Sequence, residues 1–222
     1  MCPNDNDGGD GGPANIPNHG GLTELELDAL TELVNLGVSR AANSLRELVG
    51  EEVLLTVPAV VILNREEAAI VIGQPGAHPL VAVRQAFQGE FSGSALLIFP
   101  EQNSLELVRA VTKGELSLDD VVELEQEALA EVGNIILNGC MATIANLLER
   151  SLTMSLPEIV RGSGLDFFDL SPSGADDGIL FVRINFSFRG REISGYVAIV
   201  LDFLSLAALR VLVDDFIRRA AG

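Results

Sequence analysis

"DALTELVNLGVSR" (28–40) and "EALAEVGNIILNG" (127–139) are two versions of one segment. Asp28, Glu32 and Asn35 in the first match Glu127, Glu131 and Asn134 in the second, each at an offset of 99 residues. Pro58 and Pro157 continue the match beyond the segments at the same offset. At about 100° per residue, Leu30, Val34, Gly37, Ala41, Leu45 and Leu48 form one apolar stripe of a helix. Leu129, Ile136, Cys140, Ile144 and Leu147 form the equivalent stripe. The polar residues fall on the opposite side, with each Glu one turn from its Asn and facing solvent.

Outward from these helices the order of elements repeats. Thr23 and Glu26 make a capping-box pattern, and the helix they open runs to about Val49, where Gly50 stops it. "EVLLTVPAVVIL" reads as a strand, and "NREEAAIVIG" is ambiguous, with a short helix as one reading. "LVAVRQAFQG" and "FSGSALLIF" read as a hairpin, followed by a short helix in "EQNSLELVRAV". Ser117 opens the second long helix, which runs to about Arg150. "LTMSLPEIVR", a loop at "SPSGADDG", the strands "ILFVRINFSF" and "EISGYVAIVL" and a closing helix follow. Ser92 and Gly93 fall on Ser194 and Gly195. The fold class is therefore α+β, a tandem duplication of a helix-strand-x-hairpin-helix unit (22–113 and 117–220). Either half alone would leave a sheet face bare, so two long helices are expected on one shared antiparallel sheet with pseudo-two-fold symmetry. The prolines, which lack a ladder N–H, should mark a bulge, an edge or a strand end.

Residues 1–20 are rich in Gly, Asn, Asp and Pro and read as a disordered tail, leaving 21–222 as a single domain. Cys2 and His19 in that tail are a poor metal-ligand set, and His78 reads as a loop residue. Cys140 reads as core, and two cysteines give no disulfide framework. With 32 acidic residues against 14 basic ones the formal net charge is -18, which argues against nucleic acid and anionic membrane as partners. No apolar run reaches membrane-spanning length, no signal-peptide pattern opens the chain, and the expected location is the cytoplasm.

A Glu-Asn pair limits the chemistry. No Ser-His or Cys-His arrangement accompanies it, a carboxamide does not titrate, and no phosphate-binding glycine loop occurs. A carboxamide offers both a donor and an acceptor, so it can hold a water in a fixed orientation. In phosphoryl transfer, positioning the attacking water does most of the work. The carboxylate can dock the site by gripping a cation on a phosphorylated partner.

The pattern Asp/Ser-x3-Glu-x2-Asn, then about 22 residues and Pro, twice in tandem, resembles the CheC/CheX/FliY phosphatases of chemotaxis. Two copies resemble CheC more than CheX. Glu127 departs from the pattern, and "LGVSR" after Asn35 departs from the small-residue run usual there. The resemblance implies hydrolysis of the aspartyl phosphate of a CheY-type response regulator. Asn35 and Asn134 would orient water, and Glu32 and Glu131 would pair with the receiver's lysine. This chain would bind no cofactor, because the receiver would supply the Mg²⁺. The alternative is a non-catalytic receiver-binding or regulatory adaptor, with a CheD-like regulator as its partner. An acidic scaffold would account for the fold but not for the paired motifs.

Overall fold

The computed structural model describes residues 21–50, 52–57, 59–73, 79–111, 118–168, 178–188 and 191–221. The tail, Cys2, His19, Pro58, His78 and Ser117 lie outside them.

Helix α1 (Glu24–Val49) starts where the sequence signals it. The Thr23 hydroxyl accepts from the Glu26 N–H while the Thr23 N–H donates to Glu26, which satisfies two orphan groups of the first turn. Gly50 ends it in the left-handed conformation, at φ 77°, which a side chain would strain. Strands β1 (Leu54–Thr56) and β2 (Val60–Leu63) follow, then α2 (Arg65–Ile72). A second capping box, Asn64 with Glu67, decides α2 as a helix where the sequence pattern was ambiguous. The hairpin β3 (Leu80–Gly89) and β4 (Gly93–Pro100) leads to α3 (Glu101–Val111). The second half gives α4 (Leu118–Leu147), β5 (Leu152–Met154), β6 (Glu158–Gly162), α5 (Gly164–Phe168), β7 (Gly178–Phe188), β8 (Arg191–Leu201) and α6 (Phe203–Ala221).

The strands form one antiparallel sheet in which the halves exchange strands. β1 and β2 of the first half pair with β7 of the second, and β5 and β6 of the second pair with β3 of the first. The two hairpins meet at β4 and β8 in the middle. Leu96 stands opposite Ala198 there. These residues are equivalent under the alignment of Gly93 with Gly195, so the pseudo-two-fold axis passes between them. The exchange makes each half's sheet incomplete without the other and produces one core.

α1 and α4 pack side by side on one sheet face over an aliphatic core that draws on both halves, with α3 and α6 flanking them. α2 and α5 cover the other face, around Phe167, Phe168, Leu96 and Ile98. The stripe expected on α1 is buried except at Leu48, which is exposed, while Val49 is buried instead. On α4, Leu148 just beyond the helix is buried where Leu147 is only half-buried. A helix of 3.6 residues per turn drifts against a fixed spacing, and the core takes the next residue.

An 18-residue stretch within Leu124–Leu147 of α4 has a mean hydropathy of 1.4, long and apolar enough by composition alone to cross a membrane. Leu129, Ile136, Leu137, Met141 and Ile144 are buried against α1 and the sheet, which accounts for the apolarity.

Candidate active site

Glu131 is exposed and Asn134 half-buried, one turn apart on α4. Glu32 and Asn35 repeat this on α1, so each pair presents its carboxylate to solvent and its carboxamide at the helix shoulder. The asparagines are thus less solvent-facing than the helical frame alone implies. Asp28 and Glu127 are exposed one turn before each Glu.

Around the second pair lies an open groove of about 600 Å³, lined among others by Leu124, Glu127, Glu131, Asn134, Leu156 and Pro157. Leu48 reaches it from the end of α1. An offset of 99 carries Leu48, Leu124 and Ala128 of this lining onto Leu147, Leu25 and Ala29 beside the first pair. Two lining positions differ in kind. Ala130 corresponds to Thr31, whose hydroxyl donates to the Leu27 carbonyl and accepts from the Val60 N–H. Leu156, 86% exposed, corresponds to the buried Val57.

Pro157 lies between β5 and β6. Arg84 pairs with Glu158 and Phe87 with Met154, so three residues, 155–157, face the two at 85–86. That is a bulge, and proline is tolerated there because no ladder N–H is required. In the first half the pairs Thr56–Asn185 and Val60–Val182 leave the same count. The expectation for Pro58 itself falls outside the described residues.

The bulge ties the proline loop to the asparagine. The Ser155 N–H donates to the Ala86 carbonyl, and the Ala86 N–H donates to the Ser155 hydroxyl. The Ser155 carbonyl accepts from Gln85 Nε2 at 2.8 Å, and the same nitrogen donates to Asn134 Oδ1 at 3.1 Å. Asn138 Nδ2 adds a second donor to Asn134 Oδ1 at 2.6 Å. Asn138 lies one turn beyond Asn134 on the polar side of α4, whereas Gln85 lies in a mostly apolar strand. Its signal is legible in retrospect: Val81, Val83 and Phe87 alternate toward α4, and Gln85 is the polar residue in that series.

The remaining polar clusters sit elsewhere. Glu125, nearly buried, accepts from Arg161 and from Ser104 and ties α4 to β6 and α3. Among the described residues, no group of three His, Cys, Asp or Glu side chains could hold a metal ion. Burial pushes the Cys140 thiol up to about 12, so it is no nucleophile at neutral pH.

No protein-family model matches the chain. It is 26% identical over 152 residues to the CheY-P phosphatase CheC of Bacillus subtilis, covering 67% of this chain and 70% of that protein. Its fold is similar to the crystal structure of Thermotoga maritima FliY, with a TM-score of 0.71 at 17% identity over 88% of this chain and 98% of that one. The FliM middle domain from H. pylori gives a TM-score of 0.58 at 11% identity, over 86% of this chain and 99% of that one. At those identities the two structures speak to the fold alone. The doubled Glu-x2-Asn segment and the sequence match make this chain similar to the CheC-type chemotaxis phosphatases, and the strand-exchanged sheet gives it the fold of FliY.

Proposed function

We propose that this chain removes the phosphoryl group from the active-site aspartate of a CheY-type receiver domain. The observation that carries the reading is the repeated pairing of an exposed carboxylate with a half-buried carboxamide one helical turn away, on a face open to a partner. The similarity to CheC, named a CheY-P phosphatase, supports it.

The receiver brings the phospho-aspartate and its Mg²⁺. Glu32 or Glu131 grips the receiver's lysine ammonium, a contact that orients a strongly acidic protein on a cation. The neighbouring Asn then holds a water in line with the bond from phosphorus to the aspartyl oxygen. Water attacks phosphorus, that bond breaks with its electrons returning to the receiver's aspartate carboxylate, and inorganic phosphate leaves carrying the water's protons. Little covalent chemistry is asked of this chain, because positioning lowers most of the barrier.

The test times phosphate loss from phosphorylated CheY-type receivers with the wild type and with an Asn35→Ala, Asn134→Ala double mutant. The wild type should accelerate the loss. The double mutant should fall by about 10²–10³-fold, toward the receiver's own rate, while still binding the receiver. A wild type that binds the phosphorylated receiver without accelerating the loss would make the chain an adaptor.

A further inference from the structure

We propose that Gln85 is a positioning residue that locks the Asn134 carboxamide with its oxygen inward, and so makes the two Glu-Asn sites unequal. The inference rests on the phosphatase reading above for its consequence, though not for its geometry.

The lock follows from which groups can donate. The Ser155 carbonyl can only accept, so Gln85 must turn its Nε2 toward it. The second N–H of that nitrogen points at Asn134, which must therefore present its oxygen. Asn138 Nδ2 donates to the same oxygen from the next turn of α4. Both lone pairs of Asn134 Oδ1 are then taken. Only the Asn134 NH₂ remains to face the groove.

Gln85 is not there for packing. It is 1% exposed, and its Oε1 is buried without a hydrogen-bond partner, which costs stability. The other half of the molecule shows that the place can be filled without polarity. The shared offset of 99, which relates the pairs Arg84–Glu158 and Phe87–Met154 to Arg183 and Phe186 of β7, carries Gln85 onto Ile184. Ile184 is fully buried in the same helix-facing core. Asn138 likewise corresponds to Ser39, which is exposed. Among the described residues, no hydrogen bond reaches the Asn35 carboxamide.

The chemical difference is direct. A free carboxamide oxygen accepts a hydrogen from the attacking water and leaves the water's lone pair aimed at phosphorus. An outward NH₂ can only donate, and a donor binds the lone pair that must attack. Asn35 can turn its oxygen outward; Asn134 cannot while Gln85, whose orientation the Ser155 carbonyl fixes, donates to it, whereas the half-buried Asn138 can turn its own amide to follow. The Glu32–Asn35 site is therefore the faster one, and the Glu131–Asn134 site is held back by Gln85.

The experiment measures receiver dephosphorylation by Asn35→Ala, Asn134→Ala and the double variants Asn35→Ala, Gln85→Ile and Asn35→Ala, Gln85→Glu. Asn35→Ala should cost more activity than Asn134→Ala. In the Asn35→Ala background, Gln85→Ile should raise kcat by about tenfold, part of the worth of one oriented hydrogen bond, with KM unchanged. Gln85→Glu guards against a misfolded isoleucine variant. Burial favours its neutral acid, whose O–H serves Ser155 and whose carbonyl accepts from the Asn134 NH₂, turning the oxygen outward. Its gain in kcat should fade as pH rises and the acid ionises. A fall in kcat in both Gln85 variants, or no change in either, overturns the proposal while the effects of the asparagine variants leave the phosphatase reading standing. If the wild type proves inactive, side-chain amide exchange by NMR still decides the lock. Gln85 NH₂ protons protected and Asn134 NH₂ protons exchanging fast support it, and the reverse order refutes it.

Discussion

Gly37 of α1 lies against the backbone of Cys140 on α4, so close that a Cβ at Gly37 would stand 2.7 Å from the Cys140 Cα. The two helices that carry the Glu-Asn pairs cross at this point, with Gly139 packed on Ala41 beside it. The absence of a side chain there sets how near the helices come and hence the angle between the two candidate sites.

Gly37→Ala should therefore destabilise the fold despite alanine's better helix propensity. Overpacking costs about 1–3 kcal/mol, against roughly 1 kcal/mol gained from propensity. Urea denaturation should show a lower midpoint at an unchanged slope. A higher midpoint would mean that the helices separate freely and that the crossing does not fix the sites.

Cys140 should be silent toward thiol reagents in the folded protein, because burial both shields it and pushes its thiol up to about 12. In a Cys2→Ser background, labelling should follow the fraction unfolded across a urea titration. Fast labelling without denaturant would show that the crossing opens locally.

Glu26 predicts a pH dependence. Burial pushes its carboxyl up, but hydrogen bonds from Thr23 and the Arg210 guanidinium 3.0 Å away outweigh that and hold it below its ordinary value. The unfolded state then takes up the proton first as pH falls. The stabilisation is present above the unfolded value, about 4.3 for glutamate, and is lost as pH drops through the lower folded value. Glu26→Gln should lower the melting temperature at pH 7 and flatten its decline between about pH 5 and pH 3. An unchanged acid limb would show that the link from α1 to α6 carries no pH sensitivity.

Glu131→Ala and Glu32→Ala should differ in kind from the asparagine variants. Each removes a docking charge from an exposed position, so the receiver concentration at half-maximal rate should rise roughly fivefold at that site, as for loss of an ion pair worth about 1 kcal/mol. The effect should shrink in high salt as screening replaces the lost contact. A pure loss of kcat would place the carboxylates in the chemistry rather than in docking.

The duplication, the long helices, the hairpins and the paired Glu-Asn positions were legible because each is written in local periodicity. Helix α2 was not, since "REEAAIVI" is short and apolar on several sides; only the Asn64–Glu67 capping box decides it. The split of "LTMSLPEIVR" into β5 and β6 around Pro157 was legible as an interruption, although the partner strand was not. Leu48 was misplaced on the buried stripe because a fixed spacing cannot follow the turn of the helix.

Residue order alone is enough to establish that two like units exist, that each presents a carboxylate and a carboxamide on one helix, and that neither unit could cover its own sheet. These follow from side-chain order along one chain, through helix and strand periods. That the first strands cross to the other half's hairpin emerges from packing, because β1 and β5 carry no mark saying which of two similar hairpins they join. Only the tertiary structure set Gln85 beneath Asn134 and Ile184 in the matching place of the other half. A residue on β3 and one on α4 lie 49 positions apart, and their contact arises from packing a helix on a sheet rather than from any local rule.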